Sequence, residues 1–218
     1  MTSDVMQFDE LPHVPRTFNQ LGLLVLDGSG SMSEQSYDKG TKAQSVSLAV
    51  KELLGKLQHS RVSKNFSIGV VTFDTSAKIH TPVTAIESVD DYADYDPLLA
   101  HGGGTDIGVA LQTAQRLAEE FLAQPDAATM PHSVVIVVMS DGMSSGDPLT
   151  IANSIKRNPK ITICTTLFAT VGKSEPQAEQ LLKEIASSPL NYRTTYAADD
   201  LRKFFIASVS SGKNVKIE

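Results

Sequence analysis

Residues 21–31 read Leu-Gly-Leu-Leu-Val-Leu-Asp-Gly-Ser-Gly-Ser. The run 21–26 is short, continuous and apolar, the mark of a strand covered on both faces. It ends at once in a polar, glycine-spaced loop. The same grammar recurs at Phe66–Phe73, 133–139 and Ile161–Phe168. The segment 133–139 (SVVIVVM) is the most hydrophobic and is expected at the centre of a sheet.

Helical patterns lie between these runs. Over about 41–58, Ala43, Val46, Val50, Leu53, Leu54 and Leu57 share a face. Over 106–123 the stripe is Ile107, Ala110, Leu111, Ala114, Leu117, Ala118 and Phe121, with Pro125 just beyond. A shorter helix is expected near Asp147-Pro148, with aspartate as N-cap and proline first in the helix. Ser174-x-x-Gln177 has the capping-box spacing and opens a helix to about 186; a last helix runs from Asp199 to about Ser210. Asp74-Thr75-Ser76 reads as a turn into an edge segment, 77–80, that Pro82 stops. Residues 83–104 read as irregular, and 193–196 as a short last strand. Strands alternating with helices predict an α/β fold: a doubly wound, mostly parallel sheet in a three-layer α/β/α sandwich, with one short antiparallel edge strand.

The chain has 218 residues, which suits one domain at 19–211 with an N-terminal extension, 1–18, and a polar tail, 212–218. Nineteen basic against 25 acidic residues give a net charge of −6, which argues against a nucleic-acid-binding surface. One cysteine forms no internal disulfide and no cysteine-rich zinc site. The five histidines are scattered. No apolar run follows a basic start at the N-terminus, and 21–26 is far too short to span a bilayer, so no membrane association and a reduced, cytoplasmic setting are expected.

Ligands of such sheets bind beyond the carboxyl ends of the strands. Asp27-Gly28-Ser29-Gly30-Ser31 follows the first strand, and Ser140-Asp141-Gly142 follows the central one. Between them, Gly102-Gly103-Gly104 delivers Thr105 to the start of the long helix. Asp27, Ser29, Ser31, Thr105 and Asp141 offer only oxygen, a donor set for Mg²⁺, Mn²⁺ or Ca²⁺ and not for zinc or copper. Neutral hydroxyls nearest a cation leave it electrophilic, which favours a carboxylate from another molecule.

The pattern Asp-x-Ser-x-Ser, then Thr, then Asp resembles the metal-ion-dependent adhesion site of von Willebrand factor A (VWA) domains. The resemblance spans about residues 19–211. It implies that Ser29, Ser31 and Thr105 ligate directly, that Asp27 and Asp141 ligate directly or through water, and that a partner's Asp or Glu completes the shell. It implies an interaction module, not an enzyme. Within the family the chain resembles stand-alone bacterial VWA proteins of the TerY type, associated with tellurite resistance, stress response and phage defence. These often accompany a protein kinase, a PP2C-type phosphatase or forkhead-associated domains. The N-terminal extension and residues 33–40 stand apart from that subgroup.

Other readings of the same residues differ in chemistry. A Mg²⁺-dependent phosphatase of haloacid-dehalogenase type needs a second carboxylate two residues after Asp27, where this chain has Ser29. A VWA domain with a vestigial site is the structural alternative. Gly28-x-Gly30 is no dinucleotide loop: the third glycine falls at Ser33, and Asp27 would repel a pyrophosphate. Gly142-Met143-Ser144-Ser145-Gly146 matches a nucleophile elbow, but no histidine follows it. Cys164 is read as a buried, inert thiol, His101 as a solvated loop residue and Asp106 as a helix cap. Asp90, Asp91, Asp94 and Asp96 are read as a solvated acidic face.

Overall fold

The computed structural model describes residues 16–210; the tail, and all but the last three residues of the extension, lie outside them. Six strands form one sheet: β1 (Asn19–Asp27), β2 (Phe66–Phe73), β3 (Ala77–Ala85), β4 (His132–Ser140), β5 (Ile161–Phe168) and β6 (Tyr192–Thr195). Their order is β3-β2-β1-β4-β5-β6, and only the β2–β3 pair is antiparallel. All nine residues of β1 are buried. Such a strand reads as a continuous apolar run because both of its faces are covered.

Side chains alternate between two cores. Leu24, Leu26, Val135, Val137 and Met139 pack against α1 (Lys42–Gln58) and α5 (Ala198–Ser210). Leu21, Leu23, Val25, Val134, Ile136 and Val138 pack against α2 (Ile107–Leu122), α3 (Pro148–Lys156) and α4 (Pro176–Ile185). β1 and β4 are neighbours in parallel register, with Leu26 opposite Met139. The loops that leave these two strands are therefore side by side at the carboxyl edge. Among the described residues no helix is long and apolar enough to cross a membrane.

Two local expectations are corrected. β3 does not stop at Pro82 but continues to Ala85. Proline lacks an N–H, yet this is an edge strand, and the pairing with β2 shifts register around Val70 next to it; the irregularity absorbs the missing donor. The Ser174–Gln177 box does not form. Pro176 is the first helical residue, so the N-cap falls on Glu175, which makes no side-chain cap bond. Ser174 lies one residue too early to reach the helix amides. At α3 the expected cap does form: Asp147 accepts from the amides of Leu149 and Thr150, both at 3.2 Å. A capping box also closes the start of α1: Thr41 Oγ1 accepts from Gln44 N (3.2 Å) and Gln44 Oε1 from Thr41 N (3.0 Å).

Ile136 is fully buried in the middle of β4. Ile136→Ala is expected to lower unfolding free energy by about 2–5 kcal/mol. Leu48→Ala on the exposed side of α1, where Leu48 is 50% accessible, should change it by less than about 0.5 kcal/mol. Urea unfolding followed by circular dichroism checks both.

Candidate metal centre

The turn after β1 is tied down before its side chains are considered. Gly28 N donates to Phe73 O (2.7 Å), extending the β1–β2 ladder by one step. Gly30 N donates to Gly103 O (2.9 Å), which fastens this turn to the triglycine loop. A Cβ on Gly28 would lie 2.3 Å from the Pro97 carbonyl oxygen, so the glycine is required by close approach of backbone. Gly102 has φ +135°, a conformation that glycine adopts freely. Met32 is buried in the core below the turn and anchors it from inside.

Four of the five expected residues meet directly. Asp27 is wholly buried; its Oδ1 accepts from Ser29 N (2.7 Å) and its Oδ2 from Ser140 Oγ (2.5 Å). Ser29 Oγ and Ser31 Oγ share a hydrogen bond of 3.1 Å. Ser31 Oγ donates to Asp141 Oδ1 at 2.7 Å, joining the first loop to the loop after β4. Thr105, half-buried, comes to the same edge through its backbone: its carbonyl accepts from Ser145 N (2.7 Å) and Ser145 Oγ (2.8 Å).

Burial pushes the Asp27 carboxyl up to about 6, with the nearby Asp141 charge adding to the rise, against the hydrogen bonds from Ser140 and Ser29. Two carboxylates in one dry cluster are costly unless a cation compensates them. The structure supplies one that sequence reasoning missed. Lys42, the first residue of α1, is buried; its Nζ donates to Asp141 Oδ2 (2.6 Å) and to Glu34 Oε2 (3.2 Å). Lys173 Nζ reaches the same Glu34 oxygen from the segment after β5 (3.1 Å). Burial alone would lower the Lys42 ammonium, but Asp141 and Glu34 outweigh it and hold its pKa above the ordinary lysine value. The available signal in the sequence was electrostatic: a cation at the first position of a helix opposes the helix dipole, so it needs acidic partners elsewhere.

The all-oxygen donor set of Asp27, Ser29, Ser31 and Asp141 fits a hard cation, although Lys42 Nζ already occupies one Asp141 oxygen. Among the described residues no group of three or more His, Cys, Asp or Glu is placed to hold a metal, so any cation here depends on hydroxyls.

The surrounding residues serve the loops. Asp106 caps α2 as expected, accepting from Val109 N (3.2 Å). Ser144 Oγ accepts from Ile107 N (2.9 Å), so this serine of the G-x-S-x-G match fastens the start of α2. Cys164 is buried, as expected, and burial pushes its thiol up. In the acidic segment, Asp90 and Asp96 accept from the nearby amides of Tyr92 and Leu98, and Asp94 accepts from Ser47 Oγ (3.3 Å). His101 is a correction. Its side chain is fully buried, with Nε2 on Thr72 Oγ1 (3.0 Å) and Nδ1 3.0 Å from Asp74 Oδ1, close but poorly aligned for a hydrogen bond. Asp74 in turn accepts from the amides of Ser76 (2.9 Å) and Gly103 (3.2 Å). A histidine next to glycines reads as exposed in a sequence; here the loop 97–104 folds it under itself.

The comparisons with known proteins agree with this architecture. Residues 23–208 match the family profile described as von Willebrand factor type A domain. A comparison with curated proteins returned no match. Among solved structures, the chain superposes on the pilus adhesin SpaC of Lactobacillus rhamnosus GG with a TM-score of 0.68 at 14% identity, over 89% of this chain and 30% of that one. BatB of Bacteroides thetaiotaomicron gives 0.65 at 18% identity, over 89% and 99%. A proximal thread matrix protein of the mussel byssus, whose structure is described as having a zinc-occupied MIDAS motif, gives 0.60 at 20% identity, over 88% and 48%. The chain thus spans under a third of the adhesin and about half of the byssus protein.

Burial raises the Asp74 carboxyl, but the Ser76 amide and hydroxyl, His101 and the Gly103 amide together hold it well below the usual carboxylate range. A depressed folded-state pKa stabilises above the unfolded value, about 3.9, and that stability is lost as pH falls through the folded value. Asp74→Asn is expected to cost about 1–3 kcal/mol at pH 7, with the gap to wild type closing below about pH 4. Urea titrations at several pH values measure this.

Proposed function

The chain belongs to the von Willebrand factor type A domain family, and from that premise we propose that its carboxyl-edge loops form a divalent-cation-dependent protein-interaction site. Ser29, Ser31 and Thr105 would ligate directly, and Asp27 and Asp141 directly or through water. The observation that carries this reading is the continuous hydrogen-bonded cluster Ser140–Asp27–Ser29–Ser31–Asp141, built from two loops 110 residues apart in sequence. Its oxygen donors suit Mg²⁺, or else Mn²⁺ or Ca²⁺. The zinc-occupied motif of the byssus protein supports divalent binding at a site of this type.

When bound, the cation supplies a Lewis-acidic point for a carboxylate oxygen of another protein. The chain's own residues do the rest. The Ser29 amide and the Ser140 hydroxyl hold both Asp27 oxygens in place. Ser31 sets the separation of the two loops through Asp141. Ser29, two residues after Asp27, offers no carboxylic acid for phosphate-ester chemistry, which favours binding over catalysis. The resemblance to stand-alone bacterial proteins of the TerY type supports a cytoplasmic role in stress response, tellurite resistance or phage defence. Protein kinases, PP2C-type phosphatases and forkhead-associated proteins are the partner classes it suggests.

Isothermal calorimetry with Mg²⁺ and Mn²⁺ tests the site. Wild type is expected to bind one cation, and Asp27→Ala to bind at least ~10-fold more weakly. Equal affinity of the two proteins would end the proposal. A pull-down with and without EDTA then identifies an acidic partner whose capture needs the metal.

A further inference from the structure

Lys42 is out of place by every local rule. It is the first residue of α1, where the dipole disfavours a cation. Its accessibility is 4%, although lysine rarely lies buried without partners. The surrounding chain is shaped to hold it there. The Thr41–Gln44 box fixes the helix start, Lys42 N donates to Glu34 O (2.9 Å), and an isolated bridge pairs Gln35 with Thr41. Gly40, at φ +109°, closes this loop. The segment 33–40, which stands apart from the TerY-type subgroup, thus brings Glu34 against the ammonium.

The contacts form a line of alternating charge: Asp141, Lys42, Glu34, Lys173. Glu34 and Lys173 are both exposed by about half and cancel each other. The buried part is two carboxylates and one ammonium, a single net negative charge. A divalent cation turns that balance into a single positive one. Without Lys42 the loaded cluster would be neutral.

We propose that Lys42 is a tethered countercharge that shares Asp141 with the metal, holding metal affinity down and leaving the loaded site one positive charge in excess for an acidic partner residue to neutralise. Metal and partner carboxylate then bind cooperatively, because each removes a charge imbalance that the other leaves. This rests on the metal-site reading above, and it adds a positioning residue that sets how strongly the metal is held before a partner arrives.

Calorimetry with Mn²⁺ alone on wild type, Lys42→Met and Glu34→Gln tests it. Lys42→Met keeps the unbranched shape and most of the length of the side chain without its charge and is expected to bind Mn²⁺ roughly 10-fold or more tighter than wild type. Its metal-free form should melt lower than wild type, since Asp141 loses its partner, and Mn²⁺ should raise its melting temperature by more. Glu34→Gln, at a half-exposed position, leaves Lys42 facing Asp141 alone and should bind Mn²⁺ about 3-fold more weakly. Acetate, as the probe carboxylate, should tighten Mn²⁺ binding to wild type more than to Lys42→Met.

A folded Lys42→Met protein with unchanged or weaker Mn²⁺ affinity overturns the proposal. So does equal tightening by acetate in both proteins. If Lys42→Met fails to fold, Glu34→Gln decides: weaker binding supports the proposal and unchanged binding overturns it. Absence of Mn²⁺ binding in wild type and in folded Lys42→Met alike would overturn the metal-site reading, and this inference with it. Binding only by the variant would support both.

Discussion

Two carboxylates, Asp27 and Asp141, are buried together at the ends of the two central strands. A buried anion costs several kcal/mol unless hydrogen bonds and a cation compensate it. Most of the polar structure at this end of the sheet answers that requirement. Ser29 N, Ser140 Oγ and Ser31 Oγ satisfy three of the four oxygens, and Lys42 Nζ the fourth. The loops are correspondingly tight: Gly28 passes under the Pro97 carbonyl, and Gly30 is bonded to Gly103.

The scaffold below is mostly apolar. Leu21–Leu26 and Val134–Met139 alternate between two apolar cores, and helices cover both faces. Rigid parallel strands fix where each loop begins, so the site inherits its precision from the sheet. Helix α2 adds a second anchor. Its start is held by Asp106 and Ser144, and the carbonyl of Thr105 just before it is fixed by Ser145.

Much of this was legible in one dimension. The bounds of β2 and β5 match the expected strands residue for residue, because β-branched and apolar residues fill both and a polar loop or turn follows each. The stripe from Ile107 to Phe121 marked α2 equally well. The errors arose where a local signal met a neighbour. Pro82 ended β3 on paper but sits at an irregular edge pairing, and Ser174 had the spacing of a cap but not its position relative to Pro176. His101 looked solvated because its neighbours are glycines, yet the loop buries it against Asp74 and Thr72.

The sequence alone determined the elements, the doubly wound class and the candidate oxygen donors, since these depend on periodicity and on residue chemistry within short windows. Only the tertiary structure decided that Lys42 lies on Asp141, that Ser140 holds Asp27, and that residues 33–40 carry Glu34 to the same ammonium. Electrostatic compensation acts across space between groups up to 139 residues apart in the chain, so no local pattern reports it. The charge balance of the site becomes visible only when the loops of β1 and β4 are brought to one edge.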